Sequence, residues 1–146
     1  MPRFHVEEIG AVTREVEAAV QGLLPQLRSG AEPPSRSPDV LADVLADPAT
    51  VLLAACQGDR IVGLAVVAVY HRLSGVSAHL HDVVVDGGAR GLGVGAALVE
   101  EAIEVARRRG ASSLELTSAP WRKAANRLYP RLGFHRRETN VYWLKL

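Results

Sequence analysis

One stretch limits the choice of folds more than any other: His-Leu-His-Asp-Val-Val-Val-Asp-Gly-Gly-Ala-Arg-Gly-Leu-Gly-Val-Gly-Ala, residues 79–96. Its first half is rich in valine and reads as a strand. Its second half sets Gly91, Gly93 and Gly95 at alternate positions. Directly after them Leu98, Val99, Ala102, Ile103 and Ala106 share one helical face. The chain must therefore pass from a strand through a tight turn into a helix. A helix N-terminus carries unpaired N–H groups and the positive end of the helix dipole. Glycines there let a bulky anion come close. The stretch predicts a phosphate or pyrophosphate cradle, and the rest of the chain has to select the ligand.

Two nucleotide readings fare poorly. A triphosphate-binding loop ends in Gly-Lys-Ser/Thr, whereas Gly95 is followed by Ala96 and Ala97. Gly91, Gly93 and Ala96 fit the dinucleotide pattern Gly-x-Gly-x-x-Gly/Ala. In that fold the glycines follow the first strand of a parallel sheet almost at once. Here residues 87–90 intervene, and the preceding strands read as antiparallel.

Composition removes further classes. The chain has 146 residues, the size of one domain, predicted to cover residues 1–146. Its formal net charge of +1 calls for neither nucleic acid nor an anionic membrane as partner. Cys56 is the single cysteine, which excludes an internal disulfide and a multi-cysteine metal cluster, so no metal is expected. The same usage fits a cytoplasmic protein. No apolar run reaches the roughly 18 residues needed to span a bilayer. Acids at Glu7 and Glu8 stand where a signal peptide would be apolar.

Taken in order, residues 3–9 alternate as a first strand. Thr13 caps a helix carrying Val16, Val20, Leu23, Leu24 and Leu27, with Pro25 ending or kinking it. Residues 29–38 form a Pro- and Ser-rich loop, either a site-lining segment or a connector. Ser37 and Pro38 start a short second helix. Strands at residues 50–57 and 60–71 flank Gly58-Asp59, a hairpin turn. Cys56 reads as a small buried hydrophobe. The helix after the glycine turn ends in Arg107-Arg108-Arg109-Gly110, a basic end with a glycine cap. A strand at 113–118, a helix from Pro120 to Gly133 and a strand pair at 134–138 and 141–146 complete the chain.

Beyond these readings, Arg90-x-x-Gly93-x-Gly95 resembles the pyrophosphate-binding motif of the GNAT superfamily of acetyl-CoA-dependent N-acetyltransferases. Ala125-x-x-Leu128-Tyr129-x-x-Leu132-Gly133-Phe134 is similar to that superfamily's second motif, at the expected distance downstream. The resemblance implies an α/β (α+β) fold. Its central sheet would be mixed, mostly antiparallel and of about seven strands, with about four helices on both faces. It implies acetyl-CoA as co-substrate and transfer of its acetyl group to a primary amine by direct attack. A small molecule or a peptide would be the acceptor. A non-catalytic acyl-CoA-binding regulatory or interaction module on the same fold is the alternative.

The resemblance also assigns roles. The backbone of Gly91, Leu92, Gly93, Val94, Gly95 and Ala96 would hold the pyrophosphate, with Arg90 adding charge. Val83, Val84 and Val85 would pair with the pantetheine chain where two strands splay apart. Tyr129 matches the tyrosine that lies near the coenzyme sulfur and protonates the leaving thiolate. His79 and His81 are two apart on a strand and share a face. They look like the paired histidines of the arylalkylamine N-acetyltransferases, which act as base through water. Glu115 on the neighbouring strand is the rival base. The family often has an asparagine seven residues before the tyrosine. This chain has Arg122 there, so either Asn126 takes over that coenzyme contact or Arg122 reaches a phosphate. Tyr142 and Trp143 suit a pocket, a core or a homodimer contact.

Overall fold

The computed structural model describes residues 3–27 and 40–146. The loop expected at 29–38 and the helix start at Ser37 and Pro38 lie outside the described residues. Five strands form one sheet: β1 (His5–Glu8), β2 (Thr50–Gln57), β3 (Arg60–Arg72), β4 (Gly75–Val85) and β5 (Leu114–Glu115). Their spatial order is the sequence order. The first three junctions are antiparallel and the last is parallel. Among the described residues four α-helices accompany the sheet: α1 (Arg14–Leu23), α2 (Val40–Ala46), α3 (Val94–Arg108) and α4 (Lys123–Arg131). The result is a mixed α/β fold.

Side-chain alternation along the strands divides the core in two. Leu52, Ala54, Cys56, Leu64 and Val84 face Val16 and Leu23 of α1, with Leu41, Val44 and Leu45 of α2 packed on the same side. Val51, Leu53, Ala55, Val67, Ala78 and Leu80 face Leu98, Val99, Ala102 and Val105 of α3, joined by Tyr129 of α4. The helices thus lie on both faces, two to each. A Cβ at Gly63 would sit 2.9 Å from Leu98 Cδ1, so glycine is what lets α3 settle on β3. Thr13 caps α1 by accepting from the Val16 N–H at 3.2 Å, as the sequence predicts. A 3-10 turn, Leu24–Leu27, follows that helix around Pro25. Cys56 is buried, and its thiol donates to Glu7 Oε1 at 3.7 Å. That bond and the His5–Glu7 contact at 3.2 Å account for the polar groups of this corner.

Alternation changes phase once in β4. His81 pairs with Val66 and Val84 with Leu64, so Asp82 and Val83 together oppose Ala65. Asp82 has φ 52°, a left-handed conformation that aspartate tolerates. The bulge turns Val84 to the α1 face, whereas Ala78 and Leu80 look towards α3.

The fold departs from the sequence expectation on one side. The sheet has five strands and not about seven. The strand predicted at 113–118 shortens to Leu114–Glu115, and α4 begins at Lys123 instead of Pro120. The strand pair predicted at 134–138 and 141–146 does not form; these residues carry no strand structure, and nearly all are exposed. The physical reason is the lack of a template. His135-Arg136-Arg137-Glu138 has no apolar alternation, and a two-residue β5 gives residues 141–146 little edge to pair with.

Candidate active site

The candidate site starts where β4 and β5 part. They pair only at Ala78–Leu114 and His79–Glu115. β4 then continues through its bulge to Val85, and a cleft of about 220 Å³ opens beside it. Leu80, His81, Asp82 and Val83 of β4 form one wall, and Leu116 and Thr117 face them from beyond β5. Arg122 and Tyr129 close it from the α4 side, with Leu27 at the rim.

His79 and His81 share a face, and their rings stack with centroids 4.3 Å apart and 22° between planes. His81 lines the cleft, while His79 is half-buried and lies in register with Glu115. Burial, and then the positive charge His81 can carry, hold the His79 imidazole below its ordinary value; Glu115 pulls the other way. A histidine so held is neutral at pH 7 and able to accept a proton. Glu115 has its carboxylate engaged by Arg137 Nη1 at 3.2 Å.

Tyr129 is buried at the cleft, with Phe134 edge-on at 5.7 Å. Desolvation raises its phenol above the usual tyrosine value, and the Arg122 guanidinium offsets part of that rise. The phenol therefore keeps its proton at neutral pH. Arg122 also donates from Nη2 to the Val83 carbonyl at 3.4 Å. Its place in the cleft exceeds what the sequence reading gave it. The signal was its position seven residues before Tyr129, and only the structure shows which carbonyl it reaches. Asn126 donates from Nδ2 to Ala119 O at 2.9 Å, which ties down the loop leading into α4. Asp82 supplies the bulge and part of the cleft wall.

At the far end of β4 the chain enters the glycine turn. Asp86 anchors it, accepting from Gln26 Nε2 and from Arg60 Nη2, each at 3.0 Å. Gln26 Oε1 in turn accepts from the Gly87 N–H at 2.9 Å. The Gln26 hydrogen bond, ahead of the Arg60 charge, lowers the Asp86 carboxyl below its ordinary value. No local sequence signal pairs Gln26 with a residue sixty positions away. Gly91 and Gly93 have φ of 80° and 83°, which other residues reach only with strain. Gly93 is the N-cap of α3 and offers no side-chain cap. The first helical bond runs from the Ala97 N–H to Gly93 O at 3.1 Å, so the N–H groups of Val94, Gly95 and Ala96 have no acceptor inside the helix. A Cβ at Gly95 would meet only Val85 Cγ2 at 3.7 Å and Leu128 Cδ2 at 3.8 Å, ordinary contacts. Nothing in the protein forbids alanine at position 95. Arg90 is exposed, with Nε 3.5 Å from the Val85 carbonyl. An uncapped helix start beside an exposed arginine fits an anionic pyrophosphate.

Comparison with known proteins names the class. The family model described as "Acetyltransferase (GNAT) family" matches residues 18–134. The chain belongs to that family. An uncharacterised N-acetyltransferase of Methanocaldococcus jannaschii is 41% identical over 69 residues, covering 47% of this chain and 30% of that protein. The thialysine N-epsilon-acetyltransferase of Mus musculus is 32% identical over 89 residues, covering 60% of this chain and 52% of that protein. The chain thus spans about half or less of the length of these two relatives. A solved structure titled a transcriptional regulator, from Bacillus halodurans C-125, is 31% identical with a TM-score of 0.77, covering 97% of this chain and 100% of that one. Among the described residues no helix is long and apolar enough to cross a membrane.

Proposed function

We propose that this chain is an N-acetyltransferase that moves an acetyl group from acetyl-CoA to a primary amine of a small molecule or peptide by direct attack. One observation supports the reading above all. A single strand, β4, carries His81, with His79 stacked on it, into a cleft opposite a protonated buried tyrosine, and the same strand leads into an uncapped, glycine-rich helix start. Acetyl-CoA would supply the thioester carbonyl. The N–H groups of Val94, Gly95 and Ala96, with Arg90, would hold its pyrophosphate. Val83, Val84 and Val85 would lie along its pantetheine chain, with Arg122 giving up the Val83 carbonyl to it.

An alkyl amine with a pKa near 10.4 is about one part in 10³ uncharged at pH 7. A base that accepts its proton raises the reactive fraction. His79, neutral and stacked on His81, fills that role, with His81 as the group at the cleft. The amine nitrogen bonds to the acetyl carbon, the carbon–sulfur bond breaks, and Tyr129 gives its proton to the departing sulfur. Glu115, held by Arg137, bears on His79 by its charge. The mouse relative's name places it on a lysine-like side-chain amine. An alkylamine on a small molecule or peptide is the acceptor class this chain is proposed to share.

The test pairs calorimetry with a thiol-release assay over an amine panel. Acetyl-CoA should bind, and thiol should appear only when an amine is present. Tyr129→Phe should lower turnover by about 10²-fold while leaving coenzyme affinity nearly unchanged. Binding without thiol release for every amine would replace this reading with a coenzyme-binding regulatory module.

A further inference from the structure

At the edge of the sheet opposite the cleft, β1 and β2 bring three metal-binding side chains together. His5 stands across from Cys56 on the antiparallel strands, and Glu7, two residues on, shares the face of His5. It is the face that Cys56 turns towards α1 and α2. One ligand atom from each of the three lies within 4.8 Å of the other two. The Cys56 thiol meets Glu7 Oε1 at 3.7 Å, and His5 Nε2 meets Glu7 Oε2 at 3.2 Å. Around a tetrahedral zinc ion, nitrogen, oxygen and sulfur ligands stand about 3.4–3.7 Å apart. Two of the three separations are already close to that. Among the described residues no other three histidine, cysteine or carboxylate side chains converge in this way. Burial is graded across the group: Cys56 is 6% exposed, whereas the His5 and Glu7 side chains are 61% and 52% exposed. The sulfur forms a floor and the other two an open rim. Among the described residues Glu7 has no arginine or lysine partner; Arg108 engages its neighbour Glu8 at 3.5 Å. The group is not arranged for nucleophilic attack. Its thiol bonds to the carboxylate and not to the imidazole, and burial, then the Glu7 charge, hold that thiol above its ordinary value.

We propose that His5, Glu7 and Cys56 bind one zinc ion, which ties the edge strand β1 to β2. The donor set selects the metal. A thiolate is a poor ligand for magnesium or calcium, while one sulfur, one imidazole nitrogen and one carboxylate suit zinc, with water in the fourth position. On binding, the Cys56 thiol gives its proton to solvent and its sulfur bonds to zinc. The thiolate and the Glu7 carboxylate then balance the charge of the ion, and His5 binds as neutral imidazole. β1 is four residues long, and the chain from Glu8 to Thr50 separates it from β2. A cross-link there acts where closing the loop costs most and the ladder returns least. The site stands apart from acetyl transfer, because β2 and β3 lie between β1 and β4. No local pattern reveals it, since Glu7 and Cys56 are 49 positions apart.

Titrations of the full chain, stripped of metal by a chelator and kept reduced, test the site with neither coenzyme nor amine present. Zinc should bind one to one in calorimetry. At a hundredfold excess over its Kd it should raise the melting temperature by about 5–10 °C. Cobalt at the same place should give the near-ultraviolet sulfur-to-metal band and the visible bands of a tetrahedral thiolate site. Cys56→Ser should abolish the sulfur band. Glu7→Gln and His5→Ala should each weaken zinc at least tenfold, and because both side chains are exposed they keep the test sound if Cys56→Ser misfolds. His81→Ala should leave the cobalt spectrum unchanged, which separates this site from the stacked histidines of β4. No zinc binding at micromolar concentrations, a cobalt complex without the sulfur band, undiminished affinity in Glu7→Gln and His5→Ala, or a spectrum lost in His81→Ala would each overturn the proposal.

Discussion

The two sides of the sheet contrast. From β2 to β4 the strands pair as consecutive antiparallel hairpins, the ladders are long, and alternate residues are buried against helices on each face. From β4 to β5 the pairing is parallel, spans two positions and needs α3 to bring it about. Beyond it the chain stays exposed. β2–β3 and β3–β4 pair through short loops that cost little entropy, whereas β1 and the parallel β5 each close a long loop for few hydrogen bonds. The well-paired side supplies rigidity. The poorly paired side leaves the gap that His81, Arg122 and Tyr129 line.

Breaking the rigid side should have the largest effect. Leu98→Ala opens a cavity beneath a fully buried side chain of α3 and should cost about 2–5 kcal/mol in chemical denaturation. A loss under 1 kcal/mol would mean that the α3 core is not the source of rigidity. Next comes the turn joining the two sides. Gly95→Ala meets no steric resistance within the protein and adds a better helix former. Its melting temperature should hold or rise while acetyl-CoA affinity falls at least tenfold, about 1.4 kcal/mol. Unchanged affinity in calorimetry would remove the pyrophosphate from this helix start.

Smaller effects sharpen the cleft. The His79 pKa is lowered, so the acidic limb of the pH–rate profile should fall below the ordinary histidine value near 6.5. His81→Ala removes a lowering influence and should move that limb up; Glu115→Gln removes a raising one and should move it down. A limb unmoved by both substitutions would take His79 out of the chemistry. The smallest effect belongs to Asp86. Its folded-state pKa lies below the unfolded value, so its contribution to stability is complete above about pH 3.9 and is lost as pH falls through the folded value. Asp86→Asn should flatten the acid limb of the stability curve and leave stability at pH 7 only slightly changed.

Much of this was readable in the chain. The Gly91–Gly93–Gly95 spacing, the stripe on α3 and the Thr13 cap are local, and their physics acts within a turn or two. The shared face of His79 and His81 follows from a period of two. What escaped depends on distant partners. Gln26 on Asp86, Arg122 on the Val83 carbonyl and the Asp82 bulge join residues that no short-range pattern links. The seven-strand expectation failed for a related reason: residues 141–146 have strand chemistry, but a strand is a property of a pair.

By itself the sequence determined which segments are apolar, where α1 starts and that a glycine-rich turn leads into α3. The tertiary structure decided where β4 leaves β5, which histidine reaches the cleft and that Tyr129 is buried beside it. Those outcomes depend on burial and on hydrogen bonds between groups far apart in the chain, and both exist only once the sheet and its helices have packed.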